Sequence, residues 1–282
     1  MRRFQRYTAI EVYNSAGDGF RFENSFVTGS VTYGDDGKPG TCKLTIPGVS
    51  RQTLETLKAT PTIYVRVIAG SKDDYGQLFE GTAVSSGITH VIEEGTSKLE
   101  VECTSGSYID SARYEFISKN ATTAYEIVED IAKKLGLVLA LFEGDKTKTF
   151  SRGVNLTDNV YAILDNLAQE LECKAVICDN NLSIIKYTSD RVKEEAQQGY
   201  WFVSTDNNTL ISWSTDTDDT KGTIYKIKCF LLHDIRPGSV IIVEKRDPVM
   251  RKVTRLNLIV IAADFTFSPK DDFTLEIKGR ML

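Results

Sequence analysis

Between residues 125 and 171 the chain writes a helix-plus-strand unit twice, and this constrains its fold more than any other feature. Tyr125-Glu126-Ile127-Val128 returns 36 positions later as Tyr161-Ala162-Ile163-Leu164, and the same offset pairs Ile131 with Leu167, Ala132 with Ala168 and Leu135 with Leu171. The apolar positions recur at helical spacing, so each copy presents one buried stripe. Each then runs into a short apolar segment, 137–142 and 173–178, that reads as a strand. Thr123 and Glu126 have the spacing of a capping box, in which hydroxyl and carboxylate each satisfy an orphan backbone donor. Lys133 and Lys134 suit the negative end of that helix, and Gly136 suits a left-handed stop. The second helix is predicted to start at Thr157 or Asp158 and to end near Glu172. Asp179-Asn180-Asn181 then turns the chain into a hairpin, and 190–199 reads as a solvated helix or linker.

Everything on either side reads as β-strand. Residues 7–105 alternate apolar and polar positions in short runs, broken by turn chemistry such as Gly34-Asp35-Asp36-Gly37-Lys38-Pro39-Gly40. One helical interruption is predicted at 50–58, where Leu54 and Leu57 share a face. From Tyr200 the alternation resumes. Strands this short and evenly spaced predict sandwiches or barrels. The fold class is therefore α+β, mainly β: β-rich blocks at 1–108 and 200–282 flank a small α/β insert at 109–199 with a duplicated helix–strand unit.

The chemistry available is sparse. The net charge of −5 over 282 residues offers no concentrated basic face for a phosphate backbone. No run of 18 apolar residues predicts a membrane helix, and the basic start, Arg2-Arg3, is followed by no apolar signal segment. Of the five cysteines, Cys42, Cys103 and Cys229 fall on apolar strand faces, which predicts free thiols and a reducing compartment. Cys173 and Cys178 could be half a metal site, but no histidine lies near them in sequence. His90 and His233 stand outside any ligand or acid–base pattern and read as structural. Asp216, Asp218 and Asp219 lack the glycine and distal glutamate of a calcium loop, and Glu93 and Glu94 read as loop charges. Tyr200, Trp201, Phe202 and Trp213 could form a sugar-binding platform, though strand aromatics more often fill a core. No catalytic, cofactor-binding or metal residues are expected, and the chain is expected not to be an enzyme.

The order of segments resembles the central baseplate hub protein of phage tails, a family related to the hub part of type VI secretion spike proteins. Three stretches carry the likeness: Leu44-Thr45-Ile46-Pro47-Gly48 through Ile63–Gly70 to Leu78-Phe79-Glu80-Gly81; the doubled helix; and Ile235-Arg236-Pro237-Gly238-Ser239-Val240-Ile241. The resemblance implies two tail-tube-like β-barrel domains, at 1–108 and 200–282. It implies a homotrimeric ring that adapts the hexameric tail tube, or a tube-initiator protein, to a separate spike protein. A central channel would pass DNA without sequence-specific binding, with the tape measure protein as a further partner. It implies a virion location after synthesis in the host cytoplasm, with no stable membrane anchoring. No cofactor and no appended wall-degrading domain are expected. A tail-tip carbohydrate-binding or adhesin module is the alternative, and a cell-wall hydrolase the next.

Overall fold

The structure is a computed structural model that describes residues 5–23, 26–84, 87–93, 95–106, 113–118, 120–151, 154–199, 201–218, 222–247, 249, 252–270 and 272–282. The first block runs β1 (Arg6–Asn14), β2 (Gly19–Glu23), β3 (Thr28–Gly34), β4 (Thr41–Pro47), α1 (Arg51–Lys58), β5 (Thr62–Ser71), β6 (Asp74–Val84), β7 (Ile88–Glu93) and β8 (Thr96–Thr104). The middle runs β9 (Arg113–Ser118), β10 (Thr122–Thr123), α2 (Ala124–Lys134), β11 (Val138–Phe142), β12 (Thr149–Phe150), β13 (Val154–Asn159), α3 (Val160–Glu170), β14 (Lys174–Cys178), β15 (Asn181–Ile185) and α4 (Asp190–Gln198). The last block holds β16 (Trp201–Ser204), β17 (Leu210–Asp218), β18 (Gly222–Phe230), β19 (Val240–Arg246), β20 (Val253–Phe267) and β21 (Phe273–Met281). The chain is mainly β with a small α/β insert, as expected.

The two β blocks do not keep separate sheets. Among the described residues, 14 strands form one sheet whose main path is β17-β18-β21-β20-β3-β4-β8-β6-β5-β1-β2. The physical reason is the length of β20, 15 residues. Its first half pairs with β19, and its second half pairs on the same edge with β3, from Ala262 opposite Gly34 to Phe267 opposite Gly29. β21 covers its other edge, with a register shift between Val260 and Ala262. One apolar core follows the sheet across this joint, packing Val31, Tyr33 and Phe79 in the same cluster as Phe265, Phe267 and Leu275. The two flanking β blocks are thus lobes of one hydrogen-bonded frame.

The insert keeps its own core. α2 and α3 bury Ile127, Val128, Ile131, Ile163, Leu164 and Leu167 beside the sheet β11-β15-β14, in which β15 runs parallel to β11 and antiparallel to β14. The capping box of Thr123 and Glu126 is present, and Gly136 adopts φ 66°. The start of α3 differs from the expectation: Thr157 and Asp158 pair with Glu115 and Tyr114 in the β13–β9 ladder. Asn159 caps the helix instead, its side-chain oxygen accepting from the Tyr161 N–H. α4, capped by Ser189 and stopped by left-handed Gly199, is not a free linker, since Val192 packs against Val240 and Ile259.

Candidate assembly surface

The core-forming side of the long sheet has an opposite side, and alternation along most of its strands places polar residues there. Across the joint the register aligns Ser212, Lys228, Glu276, Asp264, Thr32, Thr41 and Thr104 strand by strand. A second row runs from the exposed ring of Phe230 through Thr274, Thr266, Ser30, Lys43 and Glu102. Immediate chain neighbours of these residues, among them Ile227, Leu275, Phe265, Val31, Cys42 and Val101, are buried on the other side. The face is rich in hydroxyls, and its charges balance. Lys43, Lys98, Lys226, Lys228 and Lys278 stand against Glu100, Glu102, Asp216, Asp264 and Glu276. Three pairs close directly: Lys43 to Glu102 at 2.7 Å, Lys226 to Asp216 at 2.9 Å and Lys228 to Glu276 at 3.0 Å. Such exposed pairs add little stability, but they leave few free cations for a polyanion to hold.

A buried polar cluster fixes the insert against this frame. The Arg236 guanidinium donates through Nη2 to the carbonyls of Gln77 (3.0 Å) and Leu78 (2.9 Å), and through Nη1 to those of His233 (2.6 Å) and Ile235 (3.1 Å). It lies 4.9 Å from the Tyr33 ring centre, 5.4 Å from that of Phe265 and 3.7 Å from Asp179 Oδ2. Asp179 sits at the β14–β15 turn with φ 54°, and its Oδ1 accepts from the Tyr33 hydroxyl and the Glu80 N–H, each at 2.8 Å. Burial pushes the Asp179 carboxyl above its ordinary value, opposed chiefly by the positive charge of Arg236. Burial likewise pushes the Tyr33 phenol well up. From here a ladder of charges crosses the frame. Asn180 donates to Glu80 (3.0 Å), Glu80 pairs with Arg66 (3.2 Å), Arg66 with Glu11 (3.5 Å), and Glu11 with Arg21 on β2 (2.6 Å).

The loop predicted as a turn, 34–40, performs a second joining role. Gly37 N–H donates to Ala175 O (3.0 Å) and Gly40 N–H to Ile177 O (3.2 Å), so the loop laces along β14. Sequence reading placed these glycines correctly in a turn and missed the lacing, because nothing local marks the distant edge they pair with. Arg236 was also missed as a buried group. Its only local signal is a charge inside Ile-Arg-Pro-Gly, between apolar neighbours.

The other singled-out residues stay apart. Cys173 precedes the five-residue strand β14 and Cys178 ends it, about 16 Å apart at extended spacing, too far to share a metal. All five cysteines are free, and no group of three metal-ligating side chains occurs among the described residues. His90 Nε2 meets Ser97 Oγ at 2.7 Å, and Ser97 donates to Val49 O. His233 Nε2 lies 2.9 Å from Asp234. Trp201 and Trp213 are half-buried against the core, Trp213 beneath Lys245 at 5.5 Å, and Phe202 is exposed. Asp216 is held by Lys226, while Glu94, Asp219, Tyr200 and the side chains of Glu93 and Asp218 lie outside the described residues. No described helix is long and apolar enough to cross a membrane.

No family model matches the chain, and no curated protein matches it by sequence. Solved structures do. A tail protein from Neisseria meningitidis aligns with TM-score 0.66 at 10% identity, over 96% of each chain. The 43 kDa tail protein of prophage MuSo2 from Shewanella oneidensis aligns at 0.64 and 9%, over 98% of each. The Escherichia coli c3393 protein, a component of the type VI secretion system, aligns at 0.59 and 10%, over 92% of this chain and 74% of that one. The lacing loop, the buried Arg236 cluster and the long polar sheet face thus belong to a chain with the fold of phage tail proteins and of a type VI secretion component.

Proposed function

We propose that this chain is a structural hub of a phage tail baseplate, without enzymatic activity. Three copies close a ring that adapts the hexameric tail tube to a central spike protein and leaves a channel for DNA. The observation that carries this reading is the polar, charge-balanced face running unbroken over the joint between the two β lobes. DNA must slide along such a wall, and a basic wall would instead hold phosphates by counterion release. The two lobes then serve as the tube-like barrels implied by the resemblance, sharing a sheet. Ring closure is favoured by the ends of that sheet. Among the described residues β17 pairs only with β18, β2 only with β1, β7 only with β8 and β16 only with β19, so the sheet ends in several unlike edges. Unlike edges make head-to-tail contacts, and a closed rotation keeps these from growing into a filament. The spike and tube partners, the tail location and synthesis in the host cytoplasm belong to the same reading.

Cryo-electron microscopy of the intact tail tests it. The chain is expected in a copy number divisible by three, with Thr32, Thr41 and Lys43 facing the lumen. Any other copy number, or those residues facing outward, overturns the assignment. Peptidoglycan hydrolysis by the purified chain would overturn the non-enzymatic part.

A further inference from the structure

A cavity of about 520 Å³ lies where the polar sheet face passes beneath α4, and it is unlike the rest of that face. It lies beside the register shift between Val260 and Ala262. Beyond this bulge Leu258 and Val260 keep facing the main core, while Ile259 turns to the other side, opposite Arg280. α4 covers Ile259 with Val192 and Ala196, Tyr187 adds its ring, and exposed Met281, whose sulfur accepts from the Tyr225 hydroxyl, stands with Leu282 at the rim. The Tyr187 hydroxyl is already donated to Asp35 Oδ2 at 2.6 Å, so this residue offers the cavity its ring. Thr188, Lys193, Gln197, Asn257 and Arg280 bring polar groups to the same lining, and Lys193 is already paired with Asp190. The Nε of Arg280 is buried without a hydrogen-bond partner, and its guanidinium forms no hydrogen bond or ion pair with any described residue.

We propose that this cavity binds an apolar carboxylate, with the carboxylate on the Arg280 guanidinium and the hydrocarbon body against Ile259, Val192, Ala196 and Met281. A guanidinium presents a planar fork that matches a carboxylate with two parallel hydrogen bonds. An unmade hydrogen bond at a buried donor is costly, so occupation by an anion relieves what the empty site leaves unmatched. A concave, mostly apolar site with a few placed polar groups is the usual form of a small-ligand pocket. The same chemistry is presented by a free amphiphilic acid and by the terminal residue of a partner polypeptide. This inference is independent of the hub reading, and its assay uses the isolated full chain.

Sodium octanoate and octanamide serve as matched probes, read by the methyl NMR signal of Met281 and by thermal shift. Octanoate is expected to bind about tenfold more tightly than octanamide, the margin of a charge-assisted pair. Arg280→Gln is expected to remove that preference while both probes still shift Met281. Ala196→Phe fills the cavity from the helix side and is expected to abolish binding of both, which keeps the test decisive should Arg280→Gln fold poorly. The peptide acetyl-Gly-Leu-Leu, as acid and as amide, separates the sources. Preference for the peptide acid over octanoate assigns a partner terminus, and the reverse assigns a free acid. Equal binding of octanoate and octanamide by the native chain, no Met281 shift with either, or an intact preference in Arg280→Gln overturns the proposal.

Discussion

Arg236 holds four carbonyls and one carboxylate, so its loss is felt by the insert and both β lobes. Arg236→Met leaves Asp179 buried beside no positive charge, and a loss of about 3 kcal/mol in urea unfolding at pH 8 is expected. The pH dependence has a definite sign. Burial raises the folded Asp179 value above the unfolded one. The carboxyl therefore favours the fold fully below the unfolded value, and that contribution is lost as pH rises through the folded value. Removing Arg236 raises the folded value further, so the deficit of Arg236→Met should shrink as pH falls from 8 towards 4. Adding Asp179→Asn should recover part of it at pH 8; a pH-independent deficit would count against the ion pair. The thiols give a second prediction at this scale. Burial pushes Cys229 to about 12 and Cys173 to about 11. Alkylation of Cys173 in the folded chain at pH 8 should be about a hundredfold slower than that of a free thiol, in proportion to its thiolate. After unfolding without reductant all five thiols should titrate. A crosslink between Cys42 and Cys103, which face each other across β4 and β8, would overturn this.

Elements were legible in the sequence where local chemistry decides them. The capping box of α2, the Gly136 stop and the alternation of β4, β8 and β18 are all set within a few residues, and the structure keeps them. The start of α3 was misplaced because Asn159, Asp158 and Thr157 are all competent caps. The choice among them is made by β9, which recruits Thr157 and Asp158 into its ladder. The 34–40 loop was legible only as a turn for the same kind of reason. Its partner edge, β14, lies far along the chain. A glycine here tests the lacing directly. A Cβ on Gly40 would sit 2.3 Å from the Tyr33 ring, which is itself fixed between Arg236 and Asp179. Gly40→Ala is expected to cost about 2 kcal/mol by overpacking, whereas Gly48→Ala, with open space around it, should cost only the strain of its φ of 73°. Equal melting temperatures for Gly40→Ala and the native chain would refute the close approach.

For the whole molecule, composition and alternation gave a mainly β chain with an inserted α/β unit, but they gave no access to the β3–β20 joint. Both strands look like ordinary alternating segments, and only the length of β20 hints that it serves two neighbours on one edge. The polar face was legible residue by residue yet not as one surface, because its continuity depends on that joint. A chain truncated after residue 199 tests the joint. It retains all strands of the first block but leaves the β20 edge of β3 uncovered. It is expected to associate or to lose cooperative thermal unfolding, since an open strand edge is a template for other chains. A monodisperse fragment with a cooperative transition like that of the full chain would show the lobes to be independent.

The same joint sets a schedule for synthesis. β3 leaves the ribosome well before β20, and Arg6 meets the Ser268 carbonyl across 262 residues of chain. Contacts this distant must close a very large loop before they contribute, which slows folding. The amino-terminal lobe therefore waits, with one edge uncovered, through translation of the insert and most of the carboxyl-terminal lobe. Nascent chains in that interval are the ones most exposed to mispairing. Chaperone demand during production should follow the time taken to translate residues 110–260, and slowing the ribosome there should lower the soluble yield.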